Sequence, residues 1–370
     1  MSKIKELDKI GQSIWYDYIQ RSLLTSGEFE DLMEKGVSGI TSNPAIFEKA
    51  IAGSNDYDSD LKRLAEEGKS VEDIYETLAV QDIVTAADLL KPVYERTGRR
   101  DGYVSLEVSP NLAYETEATV AEAKRLFEKV NRPNLLIKVP ATPEGIPAIA
   151  ELIGAGVNVN ITLIFSVDNY RQVAEAYLEG LETLAAAGPS LAGGHGIDAI
   201  CSVASFFVSR IDTSIDQELE KRNNTALQGK IGIASTKMAR AVYDSILSSA
   251  RWETLAGKGA GVQRLLWGST GTKNPSYPDT LYVDQLIGPD TINTVPPSTL
   301  EKFLEHGTVA ETLTRGMDEA RSQMAELDKL GISLKAVTRK LQEDGVEGFK
   351  KPFAALMNSI SEKRSELLAG

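Results

Sequence analysis

The sequence predicts an α/β fold, a single (βα)8 TIM barrel with additional C-terminal helices. Eight short segments rich in aliphatic and β-branched residues recur along the 370-residue chain, and long stretches of helical period separate them. This alternation indicates a parallel sheet, which is either a closed barrel or an open doubly wound sheet. The position of polar residues within the strands favours the closed barrel.

Polar residues occupy one face of the central strands. In the third predicted strand Tyr103, Ser105 and Glu107 share a face, and in the fourth Leu136 and Lys138 do. The opposite face of both strands is aliphatic. Helices cover both faces of a doubly wound sheet, so both faces should be apolar there. A barrel instead has an apolar outer face and an interior whose upper layer opens into a site, and this arrangement fits the sequence.

The strands follow one another at intervals long enough for intervening helices. Residues 70–98 and 166–188 show helical periodicity, and each segment ends at a glycine. The predicted strands are, in chain order, SIWYDYI (13–19), VSGITSNP (37–44), GYVSLEV (102–108), NLLIKVP (134–140), NVNITLIF (158–165), AICSVASFFVS (199–209), RLLWGST (264–270) and TINTVP (291–296).

The domain prediction assigns residues 1–310 to the barrel. Residues 311–370 are predicted to add helices that pack on the barrel within the same domain and cover its mouth. Helical patterns lie at 311–331 and 333–345, and an amphipathic helix is expected at 349–370. A Gly-rich surface loop is expected at 186–198.

Composition excludes several classes of function. A net charge of −13 argues against nucleic acid and against an anionic membrane surface as partners. The single cysteine, Cys201, excludes an intrachain disulfide, and with only two histidines neither a metal site nor a cofactor is predicted. The opening segment is too polar for a signal peptide and no apolar stretch has membrane length, so a cytoplasmic location is expected.

Polar groups end six of the predicted strands, where a barrel places its active site. A lysine within such a strand is costly to bury as an ammonium ion, but a neutral buried amine can attack a carbonyl. Desolvation lowers the pKa of a buried amine and neighbouring carboxylates raise it, so both protonation states remain open. The candidates are Asp17, Asn43, Glu107, Lys138, Asn160, Thr162, Ser205 and Arg210.

These residues lie in motifs that resemble those of the transaldolase family, over essentially the whole chain. A segment across the seventh and eighth strands, WGSTGTKNPSYPDTLYVDQLIGPDTINTVP, is similar to the longer bacterial branch of that family. The other matching stretches are SIWYDYIQ, GITSNPAIF, SLEVSP, LLIKVPATPEG, NITLIFS and SFFVSRID.

The resemblance implies a Schiff-base (βα)8 enzyme of the pentose phosphate pathway. Such an enzyme moves a dihydroxyacetone unit from sedoheptulose 7-phosphate or fructose 6-phosphate to glyceraldehyde 3-phosphate or erythrose 4-phosphate. By motif, Lys138 would form the imine with the ketose C2, and Asp17 would act as acid and base on the C4 hydroxyl. Glu107 and Thr162 would hold the catalytic water.

The resemblance also implies how sugar phosphates bind. Asn43 and Asn160 would bind hydroxyls of the dihydroxyacetone part, and Arg210, with Ser205 nearby, would take the phosphate. Some family members have an arginine after the seventh strand; this chain reads STGTKN there, and Lys273 is the candidate for that role.

Other interpretations remain open at this stage. Lys138 could reach solvent at its strand end, Arg210 could pair with Asp212 or Asp216, and Asn43 could cap a helix. Lys273 could simply be solvated, and Phe207 could line the pocket or belong to the core. The function could also be that of a Schiff-base aldolase releasing free dihydroxyacetone, or of a non-catalytic sugar-phosphate-binding barrel. Both a homodimer and a monomer fit the sequence.

Overall fold

The computed structural model describes residues 2–187 and 196–369. Eight parallel strands form a closed barrel in which each strand pairs with the next along the chain and the last pairs with the first. This confirms the (βα)8 prediction. The strands are β1 (Gln12–Tyr16), β2 (Gly39–Ile40), β3 (Tyr103–Glu107), β4 (Leu135–Pro140), β5 (Val159–Ile164), β6 (Ser202–Phe207), β7 (Arg264–Gly268) and β8 (Thr291–Val295).

Helices surround the barrel and follow its last strand. Within the described ranges they are α1 (Lys3–Ile10), α2 (Arg21–Thr25), α3 (Glu28–Lys35), α4 (Pro44–Gly53), α5 (Asp58–Glu66), α6 (Val71–Arg96), α7 (Thr116–Val130), α8 (Gly145–Gly154), α9 (Val167–Ala187), α10 (Ser209–Glu220), α11 (Ile231–Leu247), α12 (Ala250–Ala256), α13 (Leu281–Asp284), α14 (Pro297–His306), α15 (Met317–Lys329) and α16 (Leu334–Ala369). None of these helices combines the length and the apolar character needed to cross a membrane.

All eight predicted strands are present, with shorter bounds. The second strand is shortened the most, because Asn43 already caps α4 and Pro44 is the first residue of that helix. The Gly-rich segment predicted at 186–198 lies mostly outside the described residues.

The lower half of the barrel interior is filled by side chains. At the amino ends of the strands, a buried ion pair joins Arg264 to Asp101 at 3.3 Å. A Cβ on Gly39 would lie 2.6 Å from the indole of Trp15, so only glycine lets this large side chain fill the interior. The buried interior cluster comprises Trp15, Tyr94, Tyr103, Leu136, Val203, Leu266 and Ile292.

Strand β5 is irregular where it reaches the upper layer. Its register against β6 shifts between Ile161 and Ile164, so that an additional residue is accommodated on β5. Within this bulge the buried Leu163 adopts a positive φ of 60°. The simple alternation expected from the sequence therefore ends at Thr162, directly before the bulge.

The C-terminal segment corrects one prediction. The helices expected at 333–345 and 349–370 are one continuous helix, α16, with Pro352 inside it. Gly345 does not end a helix; a Cβ there would lie 2.9 Å from Leu163, so the glycine allows α16 to approach β5 closely. The helix packs against α4, α5, α6 and α10. The domain boundary at residue 310 stays a prediction.

Candidate active site

A cavity of about 540 Å³ lies at the carboxyl ends of the strands. Asn160 and Glu107 do not line it; both lie level with Lys138 on the adjacent strands, and Glu107 lines a neighbouring cavity. The other predicted site residues all line the cavity: Asp17, Asn43, Lys138, Thr162, Ser205, Phe207, Arg210 and Lys273. Residues of every strand or its following loop, except β3 and its loop, thus converge on one volume.

Lys138 is the buried amine of this cavity. Its side chain comes from the middle of β4 and the residue is 5% exposed, which excludes the solvated alternative. The Nζ atom donates to the carbonyl of Ser42 at 3.0 Å and lies 3.2 Å from Oε2 of Glu107. It also lies 5.6 Å from the ring centroid of Phe349 in α16.

Strand register explains why these groups meet. Glu107 of β3 lies level with Lys138, which in turn lies level with Asn160 of β5. The amide of Asn160 is held on both sides: its Nδ2 donates to Ser105 Oγ at 2.9 Å, and Ser205 Oγ donates to its Oδ1 at 2.7 Å. The amide thus forms a fixed polar layer directly below the cavity.

Two buried oxygens near the amine lack hydrogen-bond partners in the described part of the chain. They are Oε2 of Glu107, whose contact with Lys138 is an ion pair without hydrogen-bond alignment, and Oγ1 of Thr162. Burial raises the pKa of the Glu107 carboxyl, and the charge of Lys138 opposes that rise. Buried polar atoms of this kind call for a polar ligand or a bound water.

Asp17 follows β1 and is oriented by a threonine of the next strand's loop. Thr41 Oγ1 lies 2.7 Å from Asp17 Oδ1, to which it donates, and 2.5 Å from Thr294 Oγ1 at the end of β8. The carboxyl is therefore fixed from both neighbouring strands. A residue placed this firmly can transfer a proton at a defined position.

The pKa of Asp17 reflects both its burial and the cations of the cavity. Burial raises the pKa of this carboxyl. The Thr41 hydrogen bond and then the charges of Lys138, Arg210 and Lys273 oppose the rise. The net pKa lies above the ordinary value, so this carboxyl holds a proton more readily than a surface aspartate does.

Arg210 lies in the first turn of α10 and faces the cavity. Its guanidinium carbon lies 5.4 Å from the ring centroid of Phe207. The predicted alternative of an ion pair does not hold in the described residues: Asp212 accepts the backbone amide of Gly232 in α11, and Asp216 accepts that of Gly229 in the loop before this helix. Burial lowers the pKa of Arg210, and the charge of Asp17 opposes this.

Two residues have a structural role and also line the cavity. Asn43 Oδ1 accepts the backbone amide of Ile46 at 3.1 Å and so caps α4, while the residue also lines the cavity. Phe207 packs edge-on against Phe165 with ring centroids 5.2 Å apart, and it too lines the cavity.

Sequence reasoning missed several cavity residues. Lys49 of α4 lines the cavity together with Arg210 and Lys273, which gives an acidic chain a local set of cations suited to an anion. Its position two residues after the GITSNPAIF motif, on the helix that Asn43 caps, was an available signal. Gly348 and Phe349 also line the cavity, but only the docking of α16 brings them there.

Chemically, this arrangement suits covalent catalysis on a carbonyl compound. A buried amine lies beside one carboxyl, a second carboxyl is fixed across the same cavity, and cations line its rim. An amine can attack a carbonyl carbon to give an imine, and the two carboxyls can carry the accompanying protons.

Comparison with known proteins gives a consistent result. The sequence model of the "Transaldolase/Fructose-6-phosphate aldolase" family matches residues 14–360. "Transaldolase" of Trichodesmium erythraeum is 46% identical over 376 residues, covering 98% of this chain and 97% of that protein. "Transaldolase 2" of Nostoc punctiforme is 45% identical, covering 97% and 96%. "Transaldolase" of Thermobifida fusca is 45% identical, covering 98% of each.

Proposed function

The chain belongs to the transaldolase/fructose-6-phosphate aldolase family and is a transaldolase, and we propose that it works through a Schiff base on Lys138. The donor is sedoheptulose 7-phosphate or fructose 6-phosphate, and the acceptor is glyceraldehyde 3-phosphate or erythrose 4-phosphate, in the pentose phosphate pathway. The observation that carries this proposal is the buried Nζ of Lys138, 3.2 Å from Glu107 and open to a cavity lined by cations.

Imine formation is the first step. Lys138 first passes its ammonium proton to the Glu107 carboxylate; the resulting neutral amine attacks C2 of the ketose, and the carbinolamine that forms loses its hydroxyl as water. Glu107 delivers and removes the protons through a water that it shares with Thr162. Two observations support this assignment: the buried Thr162 Oγ1 has no hydrogen-bond partner among the described residues, and Oε2 of Glu107 has only its ion pair with Lys138, so each can bind that water.

Cleavage and re-formation of the C3–C4 bond use the opposite carboxyl. Asp17 accepts the C4 hydroxyl proton, the bond breaks, and its electron pair enters the iminium to give an enamine on Lys138. The aldose phosphate leaves, and the enamine carbon then attacks the aldehyde of the acceptor. Asp17 returns its proton to the new alkoxide, and hydrolysis of the imine releases the new ketose. The hydrogen bond from Thr41 fixes the carboxyl for both transfers.

The rest of the cavity binds the sugar phosphate. Arg210 and Lys273 pair with the phosphate, and Ser205 lies nearby. Asn43 and Asn160 bind the hydroxyls of the dihydroxyacetone unit, the latter from the layer below. These assignments agree with the positions of Arg210, Lys273, Ser205 and Asn43 around one cavity, and with the hydrogen bond that joins Asn160 to Ser205.

A Schiff-base aldolase is the second candidate, because the family includes both activities. The two differ in whether water or an aldose takes the three-carbon unit. The contact of Phe349 with the surroundings of Lys138 favours the transferase, because a cover over the amine keeps water from the loaded intermediate.

Trapping with borohydride tests the proposal. Reduction in the presence of fructose 6-phosphate should fix a sugar fragment on Lys138, seen as a mass shift on the peptide that contains it. Lys138→Ala should abolish the shift, and Lys49→Met, which alters another lysine of the cavity, should keep it. Label on a different lysine, or no label, would contradict the mechanism.

Location and assembly follow from simpler considerations. The single cysteine agrees with a reducing compartment, and we place the enzyme in the cytoplasm. The protein acts as a monomer or homodimer, and every residue assigned a role here comes from one copy of the chain.

A further inference from the structure

The side chain of Gln342 joins three elements at the rim of the barrel. From α16 its Nε2 lies 2.8 Å from the carbonyl oxygen of Ala141, 3.2 Å from that of Leu163 and 3.1 Å from Asn169 Oδ1. Asn169 Nδ2 donates to the same Ala141 carbonyl at 3.0 Å. The ends of β4 and β5 and the start of α9 are thus held to the C-terminal helix by one amide.

One of these carbonyls belongs to a strained residue. Leu163 has a φ of 60° and is fully buried, a conformation that is unfavourable for a bulky residue and persists only when its surroundings enforce it. Gln342 bonds its carbonyl, and Gly345 packs against its side chain. Thr162 directly precedes this strained residue, so the bulge sets the direction of its hydroxyl.

The same face of α16 reaches the reactive amine. Gln342, Gly345 and Phe349 follow one another at intervals of three and four residues, which places them on one side of a helix. The Phe349 ring centroid lies 5.6 Å from Lys138 Nζ. A hydrogen bond that fixes Gln342 therefore also fixes the aromatic ring over the amine, about two helical turns away.

We propose that Gln342 is a positioning residue that fastens α16 to the β4 and β5 ends, and so holds Thr162 in line and Phe349 over Lys138. The inference rests on the proposed Schiff-base function. When this amide cannot donate, the helix loosens, water reaches the loaded enamine and its imine, and the three-carbon unit leaves as free dihydroxyacetone rather than passing to the acceptor.

Two variants at this position and one control test the proposal. Gln342→Glu keeps the size but places acceptor atoms against three acceptors, and Gln342→Lys keeps a donor of sufficient reach. Asp344→Ala, an exposed residue two positions away that pairs with Lys340, is the matched control. The measurement is free dihydroxyacetone released per unit transferred, with fructose 6-phosphate as donor and erythrose 4-phosphate as acceptor.

We expect Gln342→Glu to raise this ratio about tenfold, because the hydrogen bonds that Gln342 donates are lost. Gln342→Lys should keep the ratio close to that of the unaltered protein. The control should leave the ratio unchanged. A fall in both rates with an unchanged ratio would show a purely structural role and overturn the proposal. Borohydride labelling is measured in parallel. Label on Lys138 with an unchanged ratio contradicts only the role of Gln342, whereas absence of label in the unaltered protein contradicts the Schiff base and this inference together.

Discussion

Glu107 and Lys138 lie level on adjacent strands, and Oε2 of the first is 3.2 Å from Nζ of the second. Both side chains are buried, at 5% and 6% exposed. A buried pair of this kind depends on both members, because removal of one leaves the other without compensation. The same proximity lets the carboxyl transfer protons to and from the nitrogen while the imine forms and hydrolyses.

Glu107→Gln should slow formation and hydrolysis of the imine by about 10²–10⁴-fold, since the amide cannot carry the proton. Single-turnover quenching with borohydride measures formation directly. Glu128→Gln, which alters an exposed carboxylate of α7, is the control. Hydrolysis at an unchanged rate in Glu107→Gln would remove this residue from proton transfer.

Asp17→Asn should still form the imine but lose most turnover, because cleavage of C3–C4 needs an acceptor for the C4 hydroxyl proton. A loss of about 10²–10⁴-fold in kcat is expected for a missing general base. Borohydride labelling of Lys138 should persist in the variant. Unchanged turnover would exclude Asp17 from this role.

Thr41→Val should shift the pH profile. The Thr41 hydroxyl donates to the Asp17 carboxylate and so lowers its pKa, against the rise caused by burial. Without that donor the pKa of Asp17 rises further, and the acid limb of kcat/KM, where activity falls as the carboxylate gains a proton, moves to higher pH. Thr41→Ser keeps the hydroxyl and should keep the limb in place. If the acid limb of the pH profile stayed in place in both variants, Asp17 would not be the group whose protonation produces that limb.

Arg210→Met should weaken the binding of phosphorylated substrates but not of unphosphorylated ones. Loss of a charge-assisted contact lowers kcat/KM for fructose 6-phosphate about 10²-fold, and Lys273→Met, at an exposed position, has an effect of about threefold to tenfold. Unphosphorylated fructose should be affected little by either change. Lys62→Met, an exposed lysine of α5, is the control. Equal losses for both sugars would contradict a phosphate site.

Asp212→Asn should change how stability depends on pH. Burial raises the pKa of this carboxyl from 3.8 to about 7. The folded protein thus keeps a proton that the unfolded chain loses, and stability falls as pH rises from about 4 to 7, by at most ~1.4 kcal/mol per pH unit. The variant lacks this loss and retains an acceptor for the Gly232 amide. Denaturant unfolding should show that the variant gains more stability over the unaltered protein at pH 8 than at pH 5; an equal difference at both values would contradict the raised pKa.

Periodicity was sufficient to predict the barrel, because each strand carries its own alternation of apolar and polar residues. Glu107 and Lys138 lie on the same face of adjacent strands because both strands alternate in this way and their parallel register places the two residues level. The family motifs then indicated which polar ends would meet. All of this information is local to each strand or motif.

The features that were not predicted depend on contacts between distant segments. The bulge at Leu163 cannot be read from a β-branched run that would suit a regular strand. Gly345 resembles a helix end in sequence, yet it is a packing position, because its partner lies in β5. The hydrogen bond from Gln342 to Leu163 and the position of Phe349 near Lys138 likewise depend on the docking of α16.

The meeting of Asp17, Thr41 and Thr294 has a consequence for biosynthesis. A threonine near the beginning of the chain contacts one that the ribosome adds more than two hundred residues later. During translation Asp17 therefore lies at the open edge of an incomplete sheet until β8, which carries Thr294, has been synthesised. Prematurely terminated products that stop before β8 cannot complete this arrangement, and we expect them to be inert toward sugar phosphates even where their earlier strands have folded.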